Sequence, residues 1–205
     1  MVIGKKFVWA HLPKAAGDST VKMFHIINNG DLLIDPKNEP KKHDSYWRRE
    51  QDNKIDLTNG RDRILNIRRL PKYLISNRLF YYDRYGNGFT REDLMNCIIQ
   101  LSNSPKLQLD EYFKKMSENV KHWMRTENLA DDFISVIGDY YPFTEEQKEE
   151  IKRLPPDNVN EGASRGMSNK MPLDFWFTKK DIASIYEKCP YWASVEEKVY
   201  GSLLI

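Results

Sequence analysis

Cysteine is scarce in this chain of 205 residues. The two that occur, Cys97 and Cys189, lie far apart and form no Cys-x-x-Cys pair, so no cysteine metal-ligand spacing is present. Two thiols in a reducing compartment are the expectation. Long apolar runs are also missing. No window of about 18 apolar residues occurs, and the start of the chain, where Ala10 is soon followed by His11 and Lys14, lacks the apolar stretch of a signal peptide. A cytoplasmic protein with no membrane partner is expected. Charge of one sign is absent too. The formal net charge is +2, too small for nucleic-acid binding by bulk electrostatics. Repeats and low-complexity tracts are not seen. What is present is a globular balance, 40% hydrophobic and 30% charged.

The apolar run Phe7-Val8-Trp9-Ala10 ends in the polar, Pro-containing segment His11 to Lys14, as a buried strand followed by a loop does. From Ser19 the pattern turns helical, with Val21, Met23, Phe24 and Ile27 apolar and a stop at Asn28-Asn29-Gly30. Residues 31 to 62 are polar and rich in turn signals. Ile64-Leu65-Asn66-Ile67 predicts a second strand. Pro71 opens a helix that stops near Gly86, and Thr90 with Asp93 caps another through Leu101. Residues 110 to 125 predict a long amphipathic helix, with His122 and Trp123 as a packed core pair. Phe133 to Ile137 predicts a third strand. Thr144 with Gln147, and Thr178 with Asp181, open the last helices, separated by a loop from Leu154 to Lys170. Alternating strands and helices predict an α/β fold with a mainly parallel sheet, in one domain covering residues 1 to 205.

The segment His11-Leu12-Pro13-Lys14-Ala15-Ala16-Gly17-Asp18-Ser19-Thr20 lies between the first strand and the first helix. A helix N-terminus there offers backbone N–H groups and a positive dipole end to an anion. Gly17 lets the backbone come close, Ser19 and Thr20 carry hydroxyls, and Lys14 adds a charge. This is not a Walker A loop, in which Lys follows the glycine. A second basic segment follows the second strand. Arg68 offers a fork of donors and Ser76, one turn into the next helix, a hydroxyl; Arg69 and Lys72 read as solvated.

Both segments resemble the nucleotide-binding motifs of sulfotransferases that use 3′-phosphoadenosine 5′-phosphosulfate (PAPS), in their small, carbohydrate-type branch. Pro-Lys-small-small-Gly-x-Ser is similar to that family's 5′-phosphosulfate loop, and Arg68 to Ser76 keeps the spacing of its 3′-phosphate motif. Three departures stand out: Ala16 where Gly is frequent, Asp18 where Thr is usual, and Pro71 one position late. Val120 to Trp123 with Asp132 to Ile134 resembles the family's His-Trp segment and following strand, and Phe177 to Tyr200 its C-terminal end.

The resemblance implies a three-layer α/β/α fold with a P-loop-like phosphosulfate loop. It implies a sulfuryl transfer from PAPS to a hydroxyl acceptor, a small molecule or a saccharide, leaving the desulfated nucleotide PAP. The cosubstrate would be held by Lys14, Ala15, Ala16, Gly17, Ser19, Thr20, Arg68, Ser76 and Arg165, with Lys14 stabilising the leaving phosphate and no metal required. Arg69 stands in reserve for Arg68. His43, ahead of the 3′-phosphate motif, is the expected general base, with Glu50 and Asp44 as rivals. Trp47 could stack on the acceptor or plug the core. Two other functions fit the same residues. One is a nucleotide-dependent phosphotransferase, with Asp139 after the third strand as a Mg²⁺ ligand. The other is a module that binds an anionic nucleotide or glycan without chemistry.

Overall fold

Every residue of Phe7-Val8-Trp9-Ala10 is buried, which requires cover on both faces of the strand they form. The computed structural model describes residues 1–36, 42–53, 60–85, 109–155 and 171–205. The predicted helix at 90–101, Cys97, Arg165 and most of the loop at 154–170 lie outside them. The strands are β1 (Val2–Ile3), β2 (Phe7–Ala10), β3 (Leu33–Ile34), β4 (Asp62–Ile67) and β5 (Val120–Arg125). They form one sheet in the order β3-β1-β2-β4-β5. The three longer strands are mutually parallel, β2 with β4 and β4 with β5. The two short ones add antiparallel at one edge. The protein is therefore α/β, with a mixed, mostly parallel central sheet.

The helices are α1 (Gly17–Ile27), α2 (Tyr46–Asn53), α3 (Leu70–Tyr85), α4 (Leu109–Met116), α5 (Leu129–Gly138), α6 (Glu145–Arg153), α7 (Leu173–Trp176), α8 (Lys179–Lys188) and α9 (Pro190–Tyr200). The chain divides into two compact units, residues 1–67 with 116–158, and residues 68–115 with 159–205.

The first unit holds the sheet. Phe24 packs against Phe7, Trp9 and Phe133, and Met23, Ile27, Ile64, Met124 and Ile137 complete this core. Two expectations are overturned in this unit. The helix predicted over 110–125 ends at Met116, because Asn119 takes a left-handed φ of 55° that stops it; Val120 to Arg125 is then a strand. His122 and Trp123 lie on that strand, half-buried, not on a helix in the core. Conversely, Phe133 to Ile137 is not a strand but part of α5. Phe133 and Ile137, four apart, are fully buried, while Ser135 between them is exposed. Asp132 explains the choice. Its carboxylate accepts bonds from the Arg125 backbone N–H (2.7 Å), the Arg125 guanidinium (2.6 and 2.8 Å) and Asn128 (2.8 Å). That pins the end of β5 to the first turn of a helix and places a negative charge at its positive end. Asp139 consequently ends a helix, not a strand. The capping box at Thr144 and Gln147 forms as expected.

The second unit is helical and is organised by three side chains. Trp192 lies against Phe113 (centroids 4.0 Å) and Tyr73 (4.6 Å), and its indole N–H donates to the Arg68 carbonyl (3.2 Å). Asp110 accepts from the backbone N–H groups of Tyr191 (3.0 Å) and Trp192 (2.8 Å), capping α9. Glu196, fully buried, accepts from Leu70 N–H (2.7 Å), the Tyr186 hydroxyl (2.7 Å) and Arg69 (3.3 Å). Burial raises its carboxyl above the usual range; these donors oppose the rise. Arg69 is thus not a solvated residue. It pairs with Glu196, donates to the Ser202 carbonyl and lies 4.1 Å over the Tyr200 ring. The Thr178–Asp181 capping box forms as expected, and Pro190 starts α9 separately from α8.

Removing the Glu196 carboxylate strands a helix N–H, a buried hydroxyl and an arginine at once. Glu196→Ala is expected to lower stability by about 3 kcal/mol, read by urea denaturation.

Candidate functional site

The loop between β2 and α1 is shaped by backbone conformations that side chains disfavour. Lys14 has φ 62° and Ala16 has φ 58°, both left-handed. For a residue with a Cβ this costs on the order of 1–2 kcal/mol. A glycine at 16, frequent in the resembling motif, would avoid it. Ala16 is also the N-cap of α1, and its side chain has no atom to cap the helix. The helix starts at Gly17, and its first intrahelical bond runs from Thr20 N–H to the Ala16 carbonyl (3.0 Å). The amides before it have no acceptor within the helix.

Gly17 is required for a reason the sequence did not reveal. A Cβ at this position would fall 1.9 Å from Nε2 of His11. The His11 ring, 4% exposed, fills the space that a side chain at 17 would take. His11 in turn contacts the His43 ring edge-on, with centroids 4.4 Å apart. Nδ1 of His43 lies 3.3 Å from the His11 carbonyl. A carbonyl only accepts, so Nδ1 carries the proton and neutral His43 presents a basic Nε2. Burial, then the neighbouring His43, Lys42 and the Met1 amine, push His11 down to about 2. Burial lowers His43 as well, with Lys42 adding to the fall and the His11 carbonyl and Asp18 opposing it.

The neighbouring charges are arranged in pairs. Asp18, the departure from the resembling motif, is 3.4 Å from the Lys42 ammonium. The carboxylate in the first turn of α1 therefore has a counter-charge beside it. Of the rivals to His43, Asp44 pairs with Arg48 (3.7 Å) and Glu50 with Arg63 (3.8 Å). Trp47 is on α2 and 57% exposed, so it does not plug the core; Tyr46 does, donating to the Ile64 carbonyl (2.6 Å) and accepting from Ala10 N–H (3.3 Å).

One central residue was not anticipated as part of the site. Asn66, in an otherwise apolar strand, is fully buried. Its Oδ1 accepts from the Trp9 indole (2.8 Å), and its Nδ2 donates to the Ala15 carbonyl (2.8 Å) and the Thr20 hydroxyl (2.7 Å). The Thr20 hydroxyl donates onward to the Ala16 carbonyl (3.0 Å). Its proton is thus committed to the loop itself. The available signal was the lone Asn in Ile64-Leu65-Asn66-Ile67, since a buried amide has to find partners.

Lys14, Ala15, Ala16, Gly17, Ser19, Thr20 and His43 all belong to the first unit. Lys14 and Ala16 are partly exposed, and Ser19 is buried. Arg68 and Ser76 belong to the second unit. Ser76 is 5% exposed and lies nearly two turns into α3, not one. No helix among the described residues is long and apolar enough to cross a membrane. No protein-family model, curated protein or solved structure matches the chain.

Two outcomes follow from this geometry. Ala16→Gly relieves the left-handed strain but adds freedom to the unfolded chain, and is expected to raise stability by about 0.5–1 kcal/mol in chemical denaturation. The histidines set an acid limit. Their folded-state pKa values lie below the unfolded 6.5, so the unfolded chain takes up their protons first. Their contribution is fully present above that pH and is lost as pH falls below it. Each adds up to about 1.4 kcal/mol per pH unit to the slope. Urea titrations from pH 7.5 to 5 are expected to show this slope, and His11→Gln to flatten it by one proton.

Proposed function

We propose that this protein is a PAPS-dependent sulfotransferase, with a P-loop-like phosphosulfate loop at residues 11–20 in a three-layer α/β/α fold. The observation that carries the proposal is the junction after β2. There a partly exposed Lys14 and the start of α1, whose N-cap residue is the alanine at 16, follow a parallel strand, in a loop with left-handed residues at 14 and 16. A helix start of this kind favours an anion, and the resemblance supplies which anion. Asp18 weakens the match least when paired, and Lys42 pairs it.

Sulfuryl transfer needs a deprotonated acceptor, an in-line sulfur and stabilisation of the leaving phosphate. In the proposed step His43 Nε2 takes the acceptor hydroxyl proton. The acceptor oxygen forms the new O–S bond. The bond from sulfur to the phosphate oxygen breaks, and its electron pair leaves on PAP, next to Lys14. The lowered pKa of His43 suits this role, because the base is neutral near pH 7. Arg68 and Ser76, with Arg165, are the residues the resemblance gives to the 3′-phosphate. Of the alternatives, the phosphotransferase loses its candidate metal ligand, because Asp139 follows a helix.

Calorimetric titration with PAP, with and without Mg²⁺, tests the donor site. Metal-independent binding weakened about tenfold or more by both Lys14→Ala and Arg68→Ala is the expected result. With an accepted hydroxyl substrate, His43→Ala is expected to lower kcat by about 10²–10⁴. Absence of PAP binding by the folded protein would sink the sulfotransferase proposal. Tight binding without turnover on any acceptor would leave a binding module.

A further inference from the structure

We propose that Asn66 is a positioning residue for the anion-binding loop, acting by turning the backbone N–H groups of Ala16 and Gly17 outward. The proposal deepens the nucleotide-binding reading above and rests on it. The geometry starts from the chemistry of the amide. An indole N–H only donates and a peptide carbonyl only accepts. Asn66 therefore has one orientation, with Oδ1 toward Trp9 and Nδ2 toward Ala15 and Thr20. Both amide protons and the acceptor are used. Thr20 relays the second proton's bond to the Ala16 carbonyl. The Ala15 carbonyl is thus held on Asn66, and the Ala16 carbonyl on Thr20, which bonds it through both its hydroxyl and its backbone N–H.

The consequence follows from peptide planarity. In a trans peptide the C=O and the following N–H point in opposite directions, and the described chain has no cis bond. Holding the Ala15 carbonyl on Asn66 and the Ala16 carbonyl on Thr20 directs the Ala16 N–H away from Asn66 and the Gly17 N–H away from Thr20. Those are the first amides of α1, where the helix dipole is positive. A left-handed residue followed by a helical one makes the concave arrangement of amides that binds anions. Asn66 supplies that arrangement from β4, the central strand of the three parallel ones, so the loop is tied to a strand paired on both sides. It touches no ligand in this proposal. Its effect passes through the backbone of residues 15 to 17.

The test separates this role from ordinary core packing. Asn66→Leu keeps the volume and removes all three bonds. Thr20→Val removes the hydroxyl that links Asn66 to the Ala16 carbonyl, leaves the Asn66–Ala15 bond in place, and serves if Asn66→Leu fails to fold. Backbone ¹⁵N order parameters and PAP affinity are measured on the same samples, at a temperature where each variant is fully folded. The expected result is a fall in the order parameters of Ala15 to Gly17 from about 0.85 toward 0.6, with β2 and β4 unchanged. PAP affinity is expected to weaken at least about tenfold. Unchanged loop order, or a loosened loop with wild-type affinity, would overturn the proposal. If the wild-type protein binds no PAP, the nucleotide reading falls on its own. The role of Asn66 in holding the loop is then decided by the order parameters alone, with loosening supporting it and unchanged values refuting it.

Discussion

The first unit turns on a buried amide. Asn66 sits in a strand whose neighbours Ile64, Leu65 and Ile67 are fully buried, where an unpaired polar group costs several kcal/mol. The cost is avoided only if the surroundings are built around it. Trp9 on the adjacent strand supplies the donor, and the loop leaving that strand supplies the acceptors. A network this fully satisfied in a low-dielectric interior is specific as well as stabilising. It fixes how β2 ends, how α1 begins, and why Ala16 is held left-handed between two tethered carbonyls. His11 then occupies the space left by Gly17, and His43 is oriented on the His11 carbonyl. The geometry of the candidate site is thus a chain of consequences from one residue of β4.

The second unit solves a similar problem with charge. Two of its helix starts are closed by the protein's own carboxylates, Glu196 on the first N–H of α3 and Asp110 on those of α9. Glu196 is an internal anion, and it holds Arg69 as its counter-ion. At the start of α1 the N-cap residue is Ala16, whose methyl group cannot accept a hydrogen bond. A helix N-terminus that the fold itself satisfies has little left for a ligand, whereas an uncapped one keeps its dipole and amides available. The contrast distinguishes the two basic segments that looked alike in sequence. Lys14 precedes a helix start whose N-cap residue is an alanine, while Arg69 belongs to a structural ion pair.

Periodicity and caps made much of this legible. The buried strands β2 and β4, the stop after Ile27 and the two capping boxes each leave a local pattern that a single interaction explains. The failures share a cause. Val120 to Arg125 and Phe133 to Ile137 are short apolar runs, which periodicity alone assigns poorly. What decides them is the Arg125–Asp132 contact and the left-handed Asn119, neither of which shows as a hydrophobic pattern. The strands β1 and β3, two residues each, are too short to leave a period at all. At the site, the Lys–Gly–Ser spacing was visible. The contacts of His11 with Gly17 and of Asn66 with Ala15 were not, because they join residues 6 and 51 apart whose pairing depends on the sheet.

The loop carries more cost than its packing explains. Two residues with side chains are held left-handed, and two histidines are kept in their neutral form by burial. A buried amide also spends both protons on loop oxygens, and a carboxylate stands in the first turn of α1 with a lysine drawn up to it. A glycine at 16 and an apolar side chain in place of Asn66 would give a plainer strand–helix connection. Strained backbone and buried polar groups concentrated in one short segment argue for a loop whose shape matters beyond stability. In the reading proposed above, that shape is a row of amides turned outward beside Lys14. Such a row is what an anion needs, and Asn66 and Thr20 would set it without a glycine-rich backbone.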